Sequence, residues 1–525
     1  MTVPLDDAAI WGPPDRPVDL IARNVGTRYL AIFVDGVIGL VLLPFNVAHL
    51  GPAAYGLWAL TTSVTWFFGV LDLGYGSALV KFIAQYRAWR DRSALNEIVS
   101  TVGVVFAAIG ALCLAVTLLL AWRVESLFNI APGQVPTAQY VLLIVGAYLS
   151  IRFPLAIFGA VVFGFQRYYR NNVASIATSL VVAAVNVAVL GTGNGLVALV
   201  ASITAVRVLS LGLFAWNAYR AFPGLRVRPA LFRRTRLAEV TGFSVYMLVL
   251  DCAAKLNYSS DTLVIGAMLD TTAVAVWTIG LRLSQLAQQL TNQLNDALFP
   301  SVVDSDAAQR ADRLQAILLQ GTKLSLAVAA PLCLGLIVLA APLIHGWVGP
   351  GFPASVLPTQ ILLTVVLVRI STASANLILK GSGGHKLLTY ANASTAIVNV
   401  CLSIALVRRF GLPGVALGTL LPVAASAAFV LYPAACRRVG LPLSRPLVDA
   451  IVPAMWPAAV MSAMLWLGRD LAPAGLLAVA LQLAAGGLVY AVLFLTVAIG
   501  ADERRLYWTK LRSLAVRHRR APAAV

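Results

Sequence analysis

Sixty per cent of the 525 residues are hydrophobic, eleven per cent are charged, and the mean hydropathy is +0.85. That balance excludes a soluble globular protein, and apolar runs near the length of a bilayer span recur from end to end, as in a polytopic helical membrane protein. A formal charge of +18 would point to nucleic acid in a soluble chain, whereas here it reports topology, and no nucleic-acid partner is expected.

The first stretch, MTVPLDDAAIWGPPDRPVDL, is acidic and proline-containing, without a basic n-region or a cleavage site. Residues 1–26 therefore read as a short cytoplasmic leader rather than a signal peptide. Fourteen spans follow, centred near Ile38, Phe68, Ala111, Ala147, Val181, Thr204, Leu250, Gln285, Val328, Val366, Val398, Ala424, Val460 and Val489. The first six make an N-lobe over 27–219, a basic cytoplasmic linker runs over 220–239, and spans seven to twelve make a C-lobe over 240–435. Spans thirteen and fourteen occupy 446–499, ahead of a basic cytoplasmic tail at 500–525.

The expected fold class is an all-α polytopic membrane protein of about 14 transmembrane helices. Two six-helix lobes are related by an internal repeat, and two C-terminal helices are added. Leu50, Trp58, Leu95, Ile98 and Gly195 recur as Leu269, Trp277, Leu314, Ile317 and Gly414, always 219 residues later. Six spans per copy give both copies the same orientation, related by an axis along the membrane normal. Alternating access between two such lobes is the default mechanism.

On this topology 29 of the 39 Lys and Arg residues fall on the side of the N-terminus, against Arg123, Arg408, Arg409 and Arg469 on the other. The positive-inside rule then places both termini in the cytoplasm and the chain in the cytoplasmic membrane. In the tail, Tyr507, Leu511 and Leu514 lie at helical spacing among seven cations, as in an interfacial helix on anionic membrane lipid. Arg152, Arg207, Lys255, Arg282, Lys323 and Arg369 fall within or near the ends of spans. Each would cost roughly 2.5–3.5 kcal/mol if it faced lipid at the midplane, so these cations need counter-ions, an anionic substrate or a route to the interface. Lys323 lies near a span end and reads as an interface anchor. Arg152 and Arg369 are equivalent in the repeat and read as a symmetrical structural pair.

The most polar span-length stretch is residues 269–300, where Arg282, Gln285, Gln289, Asn292 and Asp296 share one helical face beside a leucine stripe. The span before it carries Asp251, Lys255, Tyr258 and Thr262 in similar register. This hairpin reads as one wall of a polar cavity; an amphipathic helix lying on the membrane surface is the alternative. Arg282 either meets an anionic substrate or pairs with Asp251 or Asp261. Lys255 binds likewise or neutralises Asp251, and Arg28, at the start of span one, receives a headgroup or serves topology alone. Asp35, read as isolated and buried in span one, suits a coupling ion or proton. Asp72, in LDLGYGSA, either bonds backbone amides freed by the following glycines or pairs with a cation.

The five cysteines sit singly and the four histidines lack ligand spacing, so neither disulfides nor a metal site is expected. No phosphate-binding loop is present, and the longest outer loops, near 122–136 and 345–358, reach only about fifteen residues. The chain is not expected to be an enzyme.

The segments LGPAAYGLWAL, LDLGYGSALVKFIAQYRA, the loop before ALNEIVS, and SSDTLVIGAMLDTTAVAVWTIGLRLSQL resemble the polysaccharide-export (Wzx-like) oligosaccharide flippases. These belong to the multidrug/oligosaccharidyl-lipid/polysaccharide exporter superfamily, and the likeness extends over nearly the whole chain. It implies fourteen helices around a central cavity and, as cargo, an undecaprenyl-diphosphate-linked oligosaccharide moved from the inner to the outer leaflet. A diphosphate would explain buried guanidinium groups, which grip phosphate oxygens in a forked geometry. The substrate-binding candidates are Arg282, Gln285, Gln289, Asn292, Lys255, Arg28 and Tyr258. Their amides suit sugar hydroxyls, and Tyr258, Trp66 and Trp277 suit sugar faces. The ion-coupling candidates are Asp35, Asp251 and Asp72, with Na+ or H+ as the ion and no other cofactor. Some relatives with a known sodium site use acidic and amide residues of spans seven and eleven, which Asp251 with Asn392 and Asn399 would imitate. Implied partners are the lipid-linked oligosaccharide, membrane lipids, a polysaccharide polymerase and glycosyltransferases. The rivals are a cation-coupled multidrug extruder of the same fold and a non-transporting scaffold for polysaccharide assembly.

Overall fold

The computed structural model describes residue 11, residues 17–296, 298–469 and 475–500, and residue 504. Over 245–259 and 292–296 it describes the helical backbone alone. The expected tail helix at 507–514 and most of the leader lie outside the described residues.

Every regular element among the described residues is helical. In chain order these are α1 (Pro17–Leu50), α2 (Pro52–Phe67), α3 (Tyr75–Trp89), α4 (Arg92–Leu127), α5 (Val135–Gly164), α6 (Tyr168–Gly191) and α7 (Leu196–Ala221). Then come α8 (Arg234–Met268), α9 (Thr271–Asp296), α10 (Phe299–Ala307), α11 (Ala311–Val338) and the short α12 (Ala340–Val348). After α13 (Val356–Ser371) and α14 (Ala373–Gly381) follow α15 (His385–Ser426) and α16 (Tyr432–Val439). The last two are α17 (Ser444–Gly468) and α18 (Leu476–Ala498).

Ten stretches among the described residues are helical, long and apolar enough to cross a membrane, so this is a multi-pass membrane protein. One of them, Lys386–Val439, is not a single rod. Gly411 takes φ 61° and ψ −137° inside α15, a left-handed conformation that glycine adopts without penalty. The chain turns back there: Ser403 Oγ lies 3.3 Å from the Val415 carbonyl, whereas twelve residues of straight helix would span about 18 Å. Three further expected spans are helical without meeting the apolar criterion. The second is broken into α2, a 3-10 turn over Phe68–Asp72 and α3, with Leu73 and Gly74 at positive φ. The seventh and eighth are α8 and α9, long helices interrupted by polar side chains. Fourteen crossings are compatible with this arrangement.

The repeat is visible in where helices start. Thr271 of α9 comes 219 residues after Pro52 of α2, and Ala311 of α11 comes 219 after Arg92 of α4. His385 of α15 comes 217 after Tyr168 of α6. Matching breaks follow, since α2 gives way to a turn before α3 as α9 does before α10.

The chain forms two compact units, Met1–Arg282 with Ala396–Val415, and Leu283–Thr395 with Ala416–Val525. The core of the first runs through Phe82, Ile83, Leu95, Ile98, Phe106, Phe165 and Phe222. Its close approach is at Gly56, where a Cβ would overlap the Thr271 carbonyl. The basic segment after α7 is stitched down within this unit: Asn96 bonds both the Gly224 carbonyl and the Arg226 amide, and the Ser100 and Thr101 hydroxyls accept the Arg228 and Arg233 amides. The second unit packs Leu326, Cys333, Leu363, Ile370, Met461 and Phe494. Cys113, Cys333 and Cys436 are buried as small packing residues, as expected of isolated thiols.

Candidate functional site

The first unit places Arg282, on α9, against α1. Its Nη2 donates to the Asp35 backbone carbonyl at 2.9 Å, and the half-buried guanidinium lies so close to Gly39 that a Cβ there would overlap it. Arg282 Nε is buried without a hydrogen-bond partner among the described residues. A buried, incompletely satisfied guanidinium is costly. The described partner is thus the Asp35 carbonyl; of the counter-ions the sequence offered, Asp251 has its side chain outside the described residues. That contact joins residues 247 positions apart, which no local pattern encodes.

Next to it, Asp35 lines a cavity of about 600 Å³ with Arg152 of α5, Ser175, Thr178 and Ser179 of α6, and Arg207 and Ser210 of α7; Tyr148 and Phe214 complete the polar and aromatic lining. Asp35 is therefore neither isolated nor buried, as the sequence reading had it: it is exposed to a cavity that holds two arginines. Neither Arg152 nor Arg207 forms an ion pair among the described residues. Two cations face one carboxylate, and four hydroxyls surround them. Arginine binds phosphate and carboxylate oxygens through fixed parallel donors, and hydroxyls both donate and accept, as sugar recognition requires.

A second polar cluster of the first unit sits between α8 and α15. The Ser403 hydroxyl lies 3.5 Å from Asp261 Oδ1, 3.2 Å from Asn399 Oδ1 and 3.3 Å from the Val415 carbonyl. Asp261, Asn399 and Ser403 are all buried. One carboxylate, one amide, one hydroxyl and one backbone carbonyl thus bring their oxygens together, and the Asn399 amide adds N–H donors of its own. Such a cluster suits a hard monovalent cation, and the turn at Gly411 is what brings the Val415 carbonyl into it. Asp261 joins Asn399 in this cluster, while the side chain of Asp251, the acid expected beside Asn399, lies outside the described residues. Asn399 and Ser403 are four apart on one helix, a local signal that could have pointed to the pair.

The other candidates are dispersed. Gln285 and Gln289 are exposed on α9, and Arg28 is exposed near the start of α1. Asp72 Oδ1 accepts the Gly76 amide at 2.8 Å, closing the turn that opens α3. The side chains of Asp251, Lys255, Tyr258 and Asn292 lie outside the described residues. Trp277, expected to face a sugar, is fully buried, and Lys323, expected at an interface, is buried on α11. Among the described residues no group of His, Cys, Asp and Glu is arranged to hold a metal ion by acidic or thiolate ligands.

Residues 49–357 match the model of a family described as polysaccharide biosynthesis protein. Over 493 residues the chain is 21% identical to a protein named probable flippase AglR of Haloferax volcanii, spanning 92% of this chain and 97% of that one. Among solved structures it resembles the lipid II flippase MurJ in an inward closed conformation, with a TM-score of 0.69 at 16% identity over 88% of this chain and 97% of the other. It also resembles a multidrug resistance MATE family transporter of the MOP superfamily in an inward-facing conformation, with a TM-score of 0.61 at 16% identity over 80% and 98%. At such identities the structural likeness establishes the fold and leaves the cargo to the site.

Proposed function

The chain belongs to the polysaccharide biosynthesis protein family, and from that premise we propose that it is a secondary flippase for an undecaprenyl-diphosphate-linked oligosaccharide. It carries this cargo from the inner to the outer leaflet of the cytoplasmic membrane by alternating access, with both termini in the cytoplasm and no covalent step.

The observation that carries this reading is the set of membrane-embedded guanidiniums around Asp35. Arg282 holds the Asp35 carbonyl, and Arg152 and Arg207 share a cavity with the Asp35 side chain. Left facing lipid, three arginines would cost on the order of 8–10 kcal/mol. A diphosphate offsets that by accepting forked, charge-assisted hydrogen bonds, while the hydroxyls of Ser175, Thr178, Ser179 and Ser210 suit the first sugars. The net positive lining favours an anionic cargo over the cationic drugs of an extruder. A scaffold that moved nothing would have no use for three arginines gathered around one carboxylate inside its spans.

We further assign the Asp261, Asn399, Ser403 and Val415 oxygens to the coupling ion, as Na+ rather than H+. The Asp261 carboxylate supplies the charged ligand and the other three oxygens are neutral ones, a donor set that suits a monovalent hard cation. Bound there, the cation would tie α8 to the hairpin of α15.

Translocation in proteoliposomes tests the cargo. A fluorescent undecaprenyl-diphosphate oligosaccharide is loaded, and an impermeant reagent counts the molecules on each face. Wild type should equilibrate the leaflets, and Arg282→Ala should slow this by about 10- to 100-fold, the worth of one charged hydrogen bond in a dry site. Equal rates for the two proteins would remove Arg282 from the binding site. Drug uptake without lipid movement would assign the fold to extrusion instead.

A further inference from the structure

We propose that the second unit carries a separate site for the headgroup of a zwitterionic phospholipid bearing a primary ammonium. The site is a cavity of about 620 Å³ lined by Asp312, Gln315, Gln320 and Lys323 of α11 and by Arg445 and Asp449 of α17. None of these residues takes part in the cargo or ion sites above, and the whole cavity belongs to one unit.

Its depth follows from where helices end. Asp312 lies in the first turn of α11, Arg445 and Asp449 lie in the first turns of α17, and Gly500 follows closely on the last residue of α18. Three membrane-length helices terminate around one cavity, which sets it where hydrocarbon gives way to headgroups. With 28 residues, α11 is about 42 Å long against a hydrocarbon core of about 30 Å, so its first turns stand in the headgroup layer. Lys323 lies three turns further on and is buried. It shares a face with Asp312, Gln315 and Gln320 at helical spacing, and a helical side chain leans toward its N-terminus, here toward the headgroup end.

The local backbone is also unusual. Asp449 sits in a π turn over Leu447–Ile451, and α18 ends in another over Phe494–Ala498, just before Gly500. Wide turns of this kind are rare and concentrate at functional positions. The first of them presents Leu447 and Val448 to the outside, an apolar flank suited to acyl chains beside the polar cavity.

Charge selects the ligand. Lys323 and Arg445 face Asp312 and Asp449, and Arg445 Nη1 bonds Asp449 Oδ2 at 3.0 Å. A purely anionic headgroup would set its phosphate beside two carboxylates, and a purely cationic ligand would meet two cations. A headgroup with phosphate and ammonium a few bonds apart satisfies both signs. A primary ammonium donates hydrogen bonds to carboxylate and amide oxygens, whereas a choline group is held by aromatic faces. No aromatic residue lines the cavity among the described residues. Gln315 is fixed in place, its Nε2 donating to the Val439 carbonyl at 2.8 Å.

Native mass spectrometry of the full chain, released from nanodiscs of mixed phosphatidylethanolamine, phosphatidylcholine and phosphatidylglycerol, reads the retained lipid directly. Phosphatidylethanolamine should be retained over each of the others by about fivefold, near 1 kcal/mol of selectivity. Lys323→Gln should bring it down to the phosphatidylcholine level. Because Lys323 is buried, Asp312→Asn, at an exposed position, provides a second variant whose folding is not at issue and which should do the same. Preference for phosphatidylglycerol, equal retention of all three lipids, or retention unchanged in Asp312→Asn would each overturn the proposal. Displacement of the lipid by excess inorganic phosphate would do so as well, by showing a free-phosphate site.

Discussion

Gly39 is the residue that lets α1 accept the Arg282 guanidinium, because a Cβ there would overlap its Nη2, Cζ and Nε atoms. Gly39→Ala should therefore push the guanidinium off the Asp35 carbonyl while keeping its charge. Helix α1 itself should gain, since alanine is better than glycine inside a helix by about 0.5–1 kcal/mol. Translocation is expected to fall by about tenfold, toward the Arg282→Ala level, with the helical circular dichroism unchanged. Full activity in Gly39→Ala would mean that the guanidinium acts from another position. Arg282 itself was legible in the sequence, because a lone guanidinium in a span has few uses. Its surroundings were not. Asp35 shares a cavity with Arg152 and Arg207 from two other helices, and a single chain read by periodicity carries no record of such convergence. Trp277 failed for a related reason: an aromatic at helical spacing looks the same whether it faces a cavity or, as here, the interior.

Helices were legible where apolar length alone defines them and harder to read where function or close packing intervenes. The expected second span is one case, since its Gly and Asp72 signals mark the break between α2 and α3 without giving its geometry. Gly56 on α2 is another, for it looks like any glycine in a membrane helix, yet its Cα lies against the Thr271 carbonyl that opens α9. The backbone cannot yield there as a flexible side chain would. Gly56→Ala should force the two helices apart, at a cost of about 1–3 kcal/mol typical of overpacking. The readout is a lower melting temperature in detergent, while Gly191→Ala, where a Cβ meets nothing within 4 Å, should leave it unmoved. Equal melting of both variants would show that the α2–α9 approach is looser than described. The turn at Gly411 belongs with these cases: the sequence separates spans eleven and twelve, but only the folded hairpin shows that Val415 returns beside Ser403.

The whole chain was the most legible level, because composition and a repeat near 219 residues act over hundreds of positions and average out local exceptions. Coupling is the property that belongs to this scale, since an ion that ties α8 to α15 biases the arrangement of long helices rather than one contact. If Na+ binds among Asp261, Asn399, Ser403 and the Val415 carbonyl, it stabilises the folded protein by RT ln(1 + [L]/Kd), about 2.7 kcal/mol at a hundredfold excess over Kd. The melting temperature should therefore rise with NaCl and stay level with choline chloride at the same ionic strength, which controls for screening. Asp261→Asn removes the carboxylate charge of the cluster and should abolish the rise; Ser403→Ala removes one ligand and should shift it to higher Na+. Flipping driven by an imposed Na+ gradient should follow the same order. Melting indifferent to Na+, together with flipping that follows a pH gradient, would move coupling from this cluster to Asp35, the one carboxylate of the cavity that binds the cargo.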